Sequence, residues 1–256
     1  MIELLQGDCL EIMPTLETQS FDAIIADIPY GTTACSWDTV IPFAPMWENL
    51  KRLAKPRAAI VLFGSQPFTS ALIASNFEMF KWEYIWNKER GTDWQLANIK
   101  PLKAHENMIV FGRGAVTYNP QKVMREKPID ARNWAFSSSW NGEHGAFRSK
   151  QRTSQKIYID KFPTTVLTIN GQIAECNNTN REHPTQKPVA LMEYLIRTYT
   201  NDGDTVLDFT MGSGSTLVAA VNTNRNGVGI ELREDYYSIA QRRVQEAQAQ
   251  TRMELA

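Results

Sequence analysis

The sequence predicts an α/β fold with a mostly parallel sheet covered on both faces. Three observations carry this. Short, β-branched apolar runs alternate with segments of helical spacing. Two of those runs end in an aspartate followed by a turn, at Asp27 and at Asp208. Residues 206–231 read as one strand–glycine turn–helix–strand unit. With 43% hydrophobic and 21% charged residues in 256, the composition excludes a disordered chain and suffices for one sizeable core carrying an inserted lobe.

Taken in order, residues 2–5 predict a strand, Gly7-Asp8 a turn and 9–17 a helix. Phe21 to Ala26 is a buried strand candidate that ends at Asp27-Ile28-Pro29-Tyr30-Gly31. Residues 44–54 predict a helix, 58–63 a strand, 67–75 a helix, and 79–86 and 107–111 two further strands. From 113 to 180 apolar periodicity fades. Regular texture returns with a helix over 189–199, a turn at 201–204 and a strand at 205–208. Then come the Gly212-Ser213-Gly214 turn, a helix over 215–221, a strand over 227–231 and a last helix over 234–250. This divides the chain into 1–112, an insert at 113–180, and 181–256.

A formal net charge of −1 excludes a surface that is basic all over, so nucleic-acid contact would need a local patch. The insert supplies one. Over 113–165, ten Lys/Arg stand against four Asp/Glu, a net of +6. Trp134, Phe136, Trp140, Phe147 and Tyr158 are interleaved with them. Cations neutralise phosphates and aromatic rings stack on bases, so this segment reads as a nucleic-acid face. Cys9, Cys35 and Cys176 are unpaired by spacing and read as free thiols of a reducing cytoplasm, with no metal site. No basic leader precedes an apolar run, and no stretch approaches the roughly 20 apolar residues of a membrane span. A cytoplasmic chain is expected.

The 206–231 unit suits an adenosine-containing cofactor. Glycines let the backbone pass close to a ligand. Glu231, 23 positions after Asp208, ends the second strand, where a carboxylate can accept both ribose hydroxyls. A dinucleotide fingerprint fails because Leu217 stands where its third glycine belongs, and no Gly-Lys-Ser/Thr phosphate loop follows. S-Adenosylmethionine carries no phosphate and needs neither, so the pattern leans to a methyl donor. Asp27-Ile28-Pro29-Tyr30 lies at the carboxyl end of its strand, where α/β sheets place ligands. The lone pair of a base amine is delocalised into the ring. A carboxylate and a carbonyl that accept its two N–H bonds, from Asp27 and Ile28, would expose that lone pair. Tyr30 offers a face on which an extruded base can stack. In-line transfer needs no covalent intermediate.

On these motifs the chain resembles the permuted (beta-group) DNA amino-methyltransferases, which act on adenine N6 or cytosine N4. Asp27-Ile28-Pro29-Tyr30 is similar to their Asp-Pro-Pro-Tyr motif, and His183-Pro184-Thr185-Gln186-Lys187-Pro188 to their His-Pro-Thr-Gln-Lys-Pro block. Residues 208–216 (DFTMGSGST) resemble their cofactor loop. The resemblance implies a Rossmann-like S-adenosylmethionine-dependent methyltransferase fold with an inserted target-recognition region. It implies cofactor contacts at Asp8 (adenine), Glu231 (ribose), Asp27, His183 and Lys187 (methionine end), Asp208, Gly212, Ser213 and Gly214. Double-stranded DNA is the implied partner. Homodimers and a partner restriction nuclease are family associations that the sequence leaves open.

Two departures stand out. Ile28 replaces the first proline, keeping a carbonyl but losing stiffness. Thr210 stands where the family has phenylalanine, which predicts altered packing around the methionine moiety. In the family an acidic first residue favours adenine and serine favours cytosine, so Asp27 leans to adenine N6. Cytosine N4 is the first alternative. An RNA or protein N-methyltransferase and a catalytically silent DNA binder are further ones. Lys88, in a family-like strand after Ile85-Trp86-Asn87, has no assigned chemistry.

Overall fold

A computed structural model of the chain describes residues 1–31, 38–92, 94–130, 157–169 and 186–254. The chain divides into two compact units, Met1–Asn119 with Thr165–Ala256, and Pro120–Thr164. The larger unit holds an eight-stranded sheet built from β1 (Ile2–Gln6), β2 (Phe21–Ala26), β3 (Ala54–Gly64), β4 (Phe80–Thr92), β5 (Lys103–Phe111), β8 (Val166–Thr168), β9 (Thr205–Asp208) and β10 (Asn226–Glu231). Their order across the sheet is β1-β10-β9-β2-β3-β5-β4-β8. All neighbours are parallel except β5, which runs antiparallel to both β3 and β4.

The alternation of side chains along the central strands explains why both faces are covered. Ile24, Ala26, Ile60 and Leu62 enter one core with Met46, Trp47 and Leu50 of α2 (Phe43–Leu53) and Phe68 and Leu72 of α3 (Phe68–Ser75). Their immediate neighbours Ala23, Ile25, Ala59, Val61 and Phe63 enter a second core. There they meet Leu191, Leu195 and Tyr199 of α4 (Val189–Tyr199) and Ala219 and Ala220 of α5 (Ser215–Asn222). A strand buried on both faces must be apolar throughout, which is why β2 and β3 read as continuous apolar runs. A third cluster, Met211, Leu217, Ala240 and Val244, seats α6 (Glu234–Glu254).

The smaller unit carries a two-stranded antiparallel sheet, β6 (Val123–Asp130) with β7 (Ile157–Lys161). The charged and aromatic residues 131–156, including Trp134, Phe136, Trp140 and Phe147, lie outside the described residues.

Three expectations are corrected. The helix expected over 9–17 is four residues long, α1 (Cys9–Ile12), followed by a 3-10 turn at Met13–Thr15. Pro14 is the reason, because it lacks an N–H and clashes with the preceding turn. The strand expected at 107–111 begins at Lys103, and the one expected at 58–63 begins at Ala54. In the segment where periodicity fades, β6, β7 and β8 form. Among the described residues no helix is long and apolar enough to cross a membrane.

Candidate active site

The four strands β1, β10, β9 and β2 are neighbours and parallel, so their carboxyl ends open on one edge. In that order the edge carries Asp8, Glu231, Asp208 and Asp27. Three strand spacings set the row at roughly 15 Å from first to last. Each member is fixed by backbone or side-chain donors.

Asp8 caps α1, its Oδ1 accepting from Leu10 N at 2.8 Å. The neighbouring Gly7 N–H donates to the Glu231 carbonyl at 2.9 Å, which joins the tips of β1 and β10. Glu231 receives Gly212 N on Oε2 and Arg233 N on Oε1, both at 2.9 Å. These two bonds orient the carboxylate and leave a lone pair on each oxygen, an acceptor set able to receive two hydroxyl donors. Burial raises the Glu231 pKa, and the two backbone N–H bonds oppose that shift.

Asp208 is a brace. Its Oδ2 accepts the Thr216 hydroxyl at 2.5 Å and its Oδ1 accepts Thr210 N at 3.1 Å, so it holds both sides of the glycine turn. Burial pushes it up to about 7 against those two bonds. Gly214 sits in the left-handed region, φ +79°, and a Cβ there would lie 2.9 Å from the Ala240 Cβ. Only glycine allows this turn to pack under α6. Ser213 accepts Arg243 Nη1 and donates to Gln186 Oε1 at 3.3 Å, tying the turn to the Gln186-Lys187-Pro188 segment.

At Asp27 the edge gathers a phenol and an ammonium. The Tyr30 hydroxyl donates to Asp27 Oδ1 at 2.5 Å, and Lys187 Nζ donates to Asp27 Oδ2. The turn that aims Tyr30 is held by Asp38, whose Oδ1 accepts Tyr30 N at 2.8 Å and Gly31 N at 2.9 Å. The Tyr30 ring packs at 5.3 Å from that of Phe68. Ile28 is 3% exposed and belongs to the first core, and half-buried Pro29 follows it. Thr210 Oγ1 donates to the Asp27 carbonyl at 3.2 Å. The threonine that stands where the resembled family has phenylalanine therefore couples the glycine turn after β9 to the turn after β2, while Phe209 fills the core beside it.

The Asp27 side chain is 21% exposed and that of Lys187 only 8%. Burial raises the Asp27 pKa; Lys187 and Tyr30 pull it down and Glu106 adds to the rise. Tyr30 stays protonated, its pKa driven well above the phenolic value by burial and by Asp27. Burial works against the charge of Lys187, but Asp27 and Glu106 outweigh it and keep the ammonium charged.

The structure thus brings Asp27, Tyr30, Lys187 and Asp208 together and sets Glu231 and Gly212 beside them. His183 lies outside the described residues, as do Pro184 and Thr185. Asp38, Glu106 and the bridging role of Thr210 went unread in the sequence. Lys88 was the one signal pointing to Glu106, with which it pairs. Among the described residues no cluster of His, Cys, Asp and Glu could hold a metal.

A doubly wound sheet with an acidic row along its carboxyl edge, the glycine turn and the acid-ended β10 included, defines a Rossmann-like methyltransferase fold. The chain belongs to the N6_N4_Mtase family of DNA methylases, whose model matches residues 21–242. It is 27% identical to the type II methyltransferase M.HpaI of Haemophilus parainfluenzae, over 94% of this chain and 73% of that protein. Two solved structures share the fold. The M1.HpyAVI–SAM complex has TM-score 0.59 and 23% identity, over 95% of this chain and 99% of that one. The cytosine-N4-specific PvuII DNA methyltransferase has TM-score 0.64 and 15% identity, over 97% and 92%. The chain is a DNA methyltransferase, and the M1.HpyAVI structure that shares its fold is a complex with S-adenosylmethionine.

Proposed function

We propose that the protein methylates adenine N6 in double-stranded DNA, on a base turned out of the helix. The observation that carries this reading is Asp27 itself. It is a carboxylate at the carboxyl end of β2, aimed by Tyr30 and Lys187 and still open on one side. When bound, the donor supplies an electrophilic methyl group on a sulfonium. The chain supplies what makes the amine reactive. Asp27 accepts one amine N–H, and the carbonyl of Ile28 accepts the other. The nitrogen lone pair is then drawn out of conjugation toward the methyl group. The Asp27 charge also stabilises the positive charge that develops on nitrogen, in a site where little water competes.

Glu231 and Asp8 hold the nucleoside end of the donor. Asp208 acts through the glycine turn it braces. The roughly 15 Å row from Asp8 to Asp27 suits a nucleoside at one end and a reactive methyl group at the other. Residues 113–180 serve target recognition. Extruding the base costs stacking, and stacking on Tyr30 returns roughly 1–3 kcal/mol of it.

The fold alone does not choose between adenine and cytosine, because the polarisation works on either exocyclic amine. The acidic residue at 27 favours adenine. Unmethylated DNA incubated with the protein and methyl-labelled S-adenosylmethionine, then digested to nucleosides for mass spectrometry, decides. N6-methyladenine is expected. N4-methylcytosine would keep the mechanism and overturn the base. No methylated nucleoside would overturn the function.

A further inference from the structure

Lys187 stands between two carboxylates, and only one of them is satisfied by it. Its Nζ donates to Asp27 Oδ2 and lies 3.4 Å from Glu106 Oε2. That Oε2 atom is fully buried and accepts no hydrogen bond among the described residues. The other oxygen, Oε1, pairs with Lys88. Topology explains the meeting. Because β5 runs antiparallel to β3, its starting end opens on the same edge where the parallel strands finish. The register pairs Gly64 with Asn107 and Trp86 with Glu106. Lys187 also rests 5.1 Å from the centre of the Phe63 ring, on an apolar floor that offers its charge no other anion.

This arrangement removes an obstacle to the proposed chemistry. A target amine must donate to Asp27, yet Asp27 already holds a buried ammonium. Stripping such an ammonium of its only anion is strongly unfavourable. A second carboxylate at 3.4 Å lets the ammonium change partners by moving about half an ångström. We infer that Glu106 is a positioning residue that takes Lys187 from Asp27 when the target amine arrives, with Lys88 anchoring Glu106 for that exchange. The inference rests on the amine-methylation reading above. Once Lys187 has moved, the Asp27 charge faces the reacting nitrogen less compensated, which favours the positive charge forming there.

The test is a cycle of single-turnover transfer rates at saturating DNA and labelled cofactor: wild type, Glu106→Gln, Lys187→Met and the double variant. Glu106→Gln should slow transfer roughly tenfold or more while the cofactor Kd stays within about twofold. In the Lys187→Met background the same change should cost less than about twofold, because Glu106 acts through Lys187. Glu106→Asp, which keeps the charge, should recover part of the rate.

The pH profile adds a signature. The groups facing Asp27 are Tyr30, Lys187, Glu106 and Asp208, with Lys88 and Lys103 behind Glu106. Removing the Glu106 charge lowers the Asp27 pKa, so the acidic limb of the rate should move to lower pH even as the plateau falls. Equal losses in both backgrounds, an unmoved acidic limb, or loss of cofactor binding in both the Gln and Asp variants would overturn the inference. A wild type that transfers no methyl group removes the underlying reading. A wild type that transfers while Glu106→Gln matches it removes this inference alone.

Discussion

Asp27 is costly to keep charged. It is pressed by burial and by Glu106, and relieved by Lys187 and Tyr30, with the balance leaving its pKa above the ordinary aspartate range. In the proposed mechanism the anion is the form that accepts the amine, so transfer should fail on the acid side at a pH higher than an ordinary aspartate would give. Asp27→Asn keeps the shape and removes the charge. It should lower the transfer rate by roughly 10²–10³, the cost of losing one charge-stabilising group, and leave the cofactor Kd nearly unchanged. Single-turnover rates and calorimetry check this, and undiminished transfer would remove Asp27 from the mechanism.

Asp208 makes the opposite kind of prediction, about stability. Its pKa rises from 3.8 to about 7 because burial outweighs its bonds to Thr216 and Thr210. The folded protein therefore holds a proton that the unfolded chain has released. This contribution is full below pH 3.8 and is lost as pH rises through about 7. By linkage it is worth at most about 4 kcal/mol. Asp208→Asn has no such proton to lose. Its Tm should fall less than that of the wild type between pH about 5 and 8, which thermal unfolding across that range measures.

Among the elements, the turn after β2 shows how far a motif can be read without its packing. The Asp-Ile-Pro-Tyr sequence marked the site, and the missing proline looked like a loss of stiffness. Packing explains the isoleucine: the side chain fills the first core at 3% exposure, and stiffness comes instead from Asp38 and Thr210. Ile28→Pro, which restores the family's commoner sequence, should therefore destabilise the protein by about 1–3 kcal/mol and give no gain in transfer rate. Urea unfolding alongside the transfer assay tests it, and a stabilised or faster variant would show that stiffness was limiting after all.

The same contrast explains what was legible in the sequence. β2, β3 and β9 announced themselves because burial on both faces demands apolar runs. The charged start of β5 did not, because Lys103 and Glu106 interrupt the apolar run, and the partners that hold them, Ser65, Lys88 and Lys187, come from other elements. β6 and β7 expose Val123, Met124, Ile157 and Ile159, so no periodic buried face exists to be read.

For the molecule as a whole, the question is how a chain of net charge −1 engages a polyanion. The basic excess of 113–165 is the proposed answer, but not every cation there is equally available. Lys122 pairs with Asp160 at 3.1 Å, and Arg125 donates to the Asp160 carbonyl at 2.8 Å. Lys127 on β6 and Lys161 on β7 are exposed. Cations that meet phosphate supply affinity through counterion release and carry no sequence information. Lys127→Ala and Lys161→Ala should each weaken DNA binding to a similar degree on any sequence and lower the slope of log K against log salt by roughly 1. The transfer rate at saturating DNA should stand, because neither residue belongs to the acidic edge proposed as the site of methyl transfer. Titration of DNA at several salt concentrations separates the cases. A loss confined to one target sequence would make these lysines base readers, and an unchanged slope would place the phosphate contacts elsewhere on the chain.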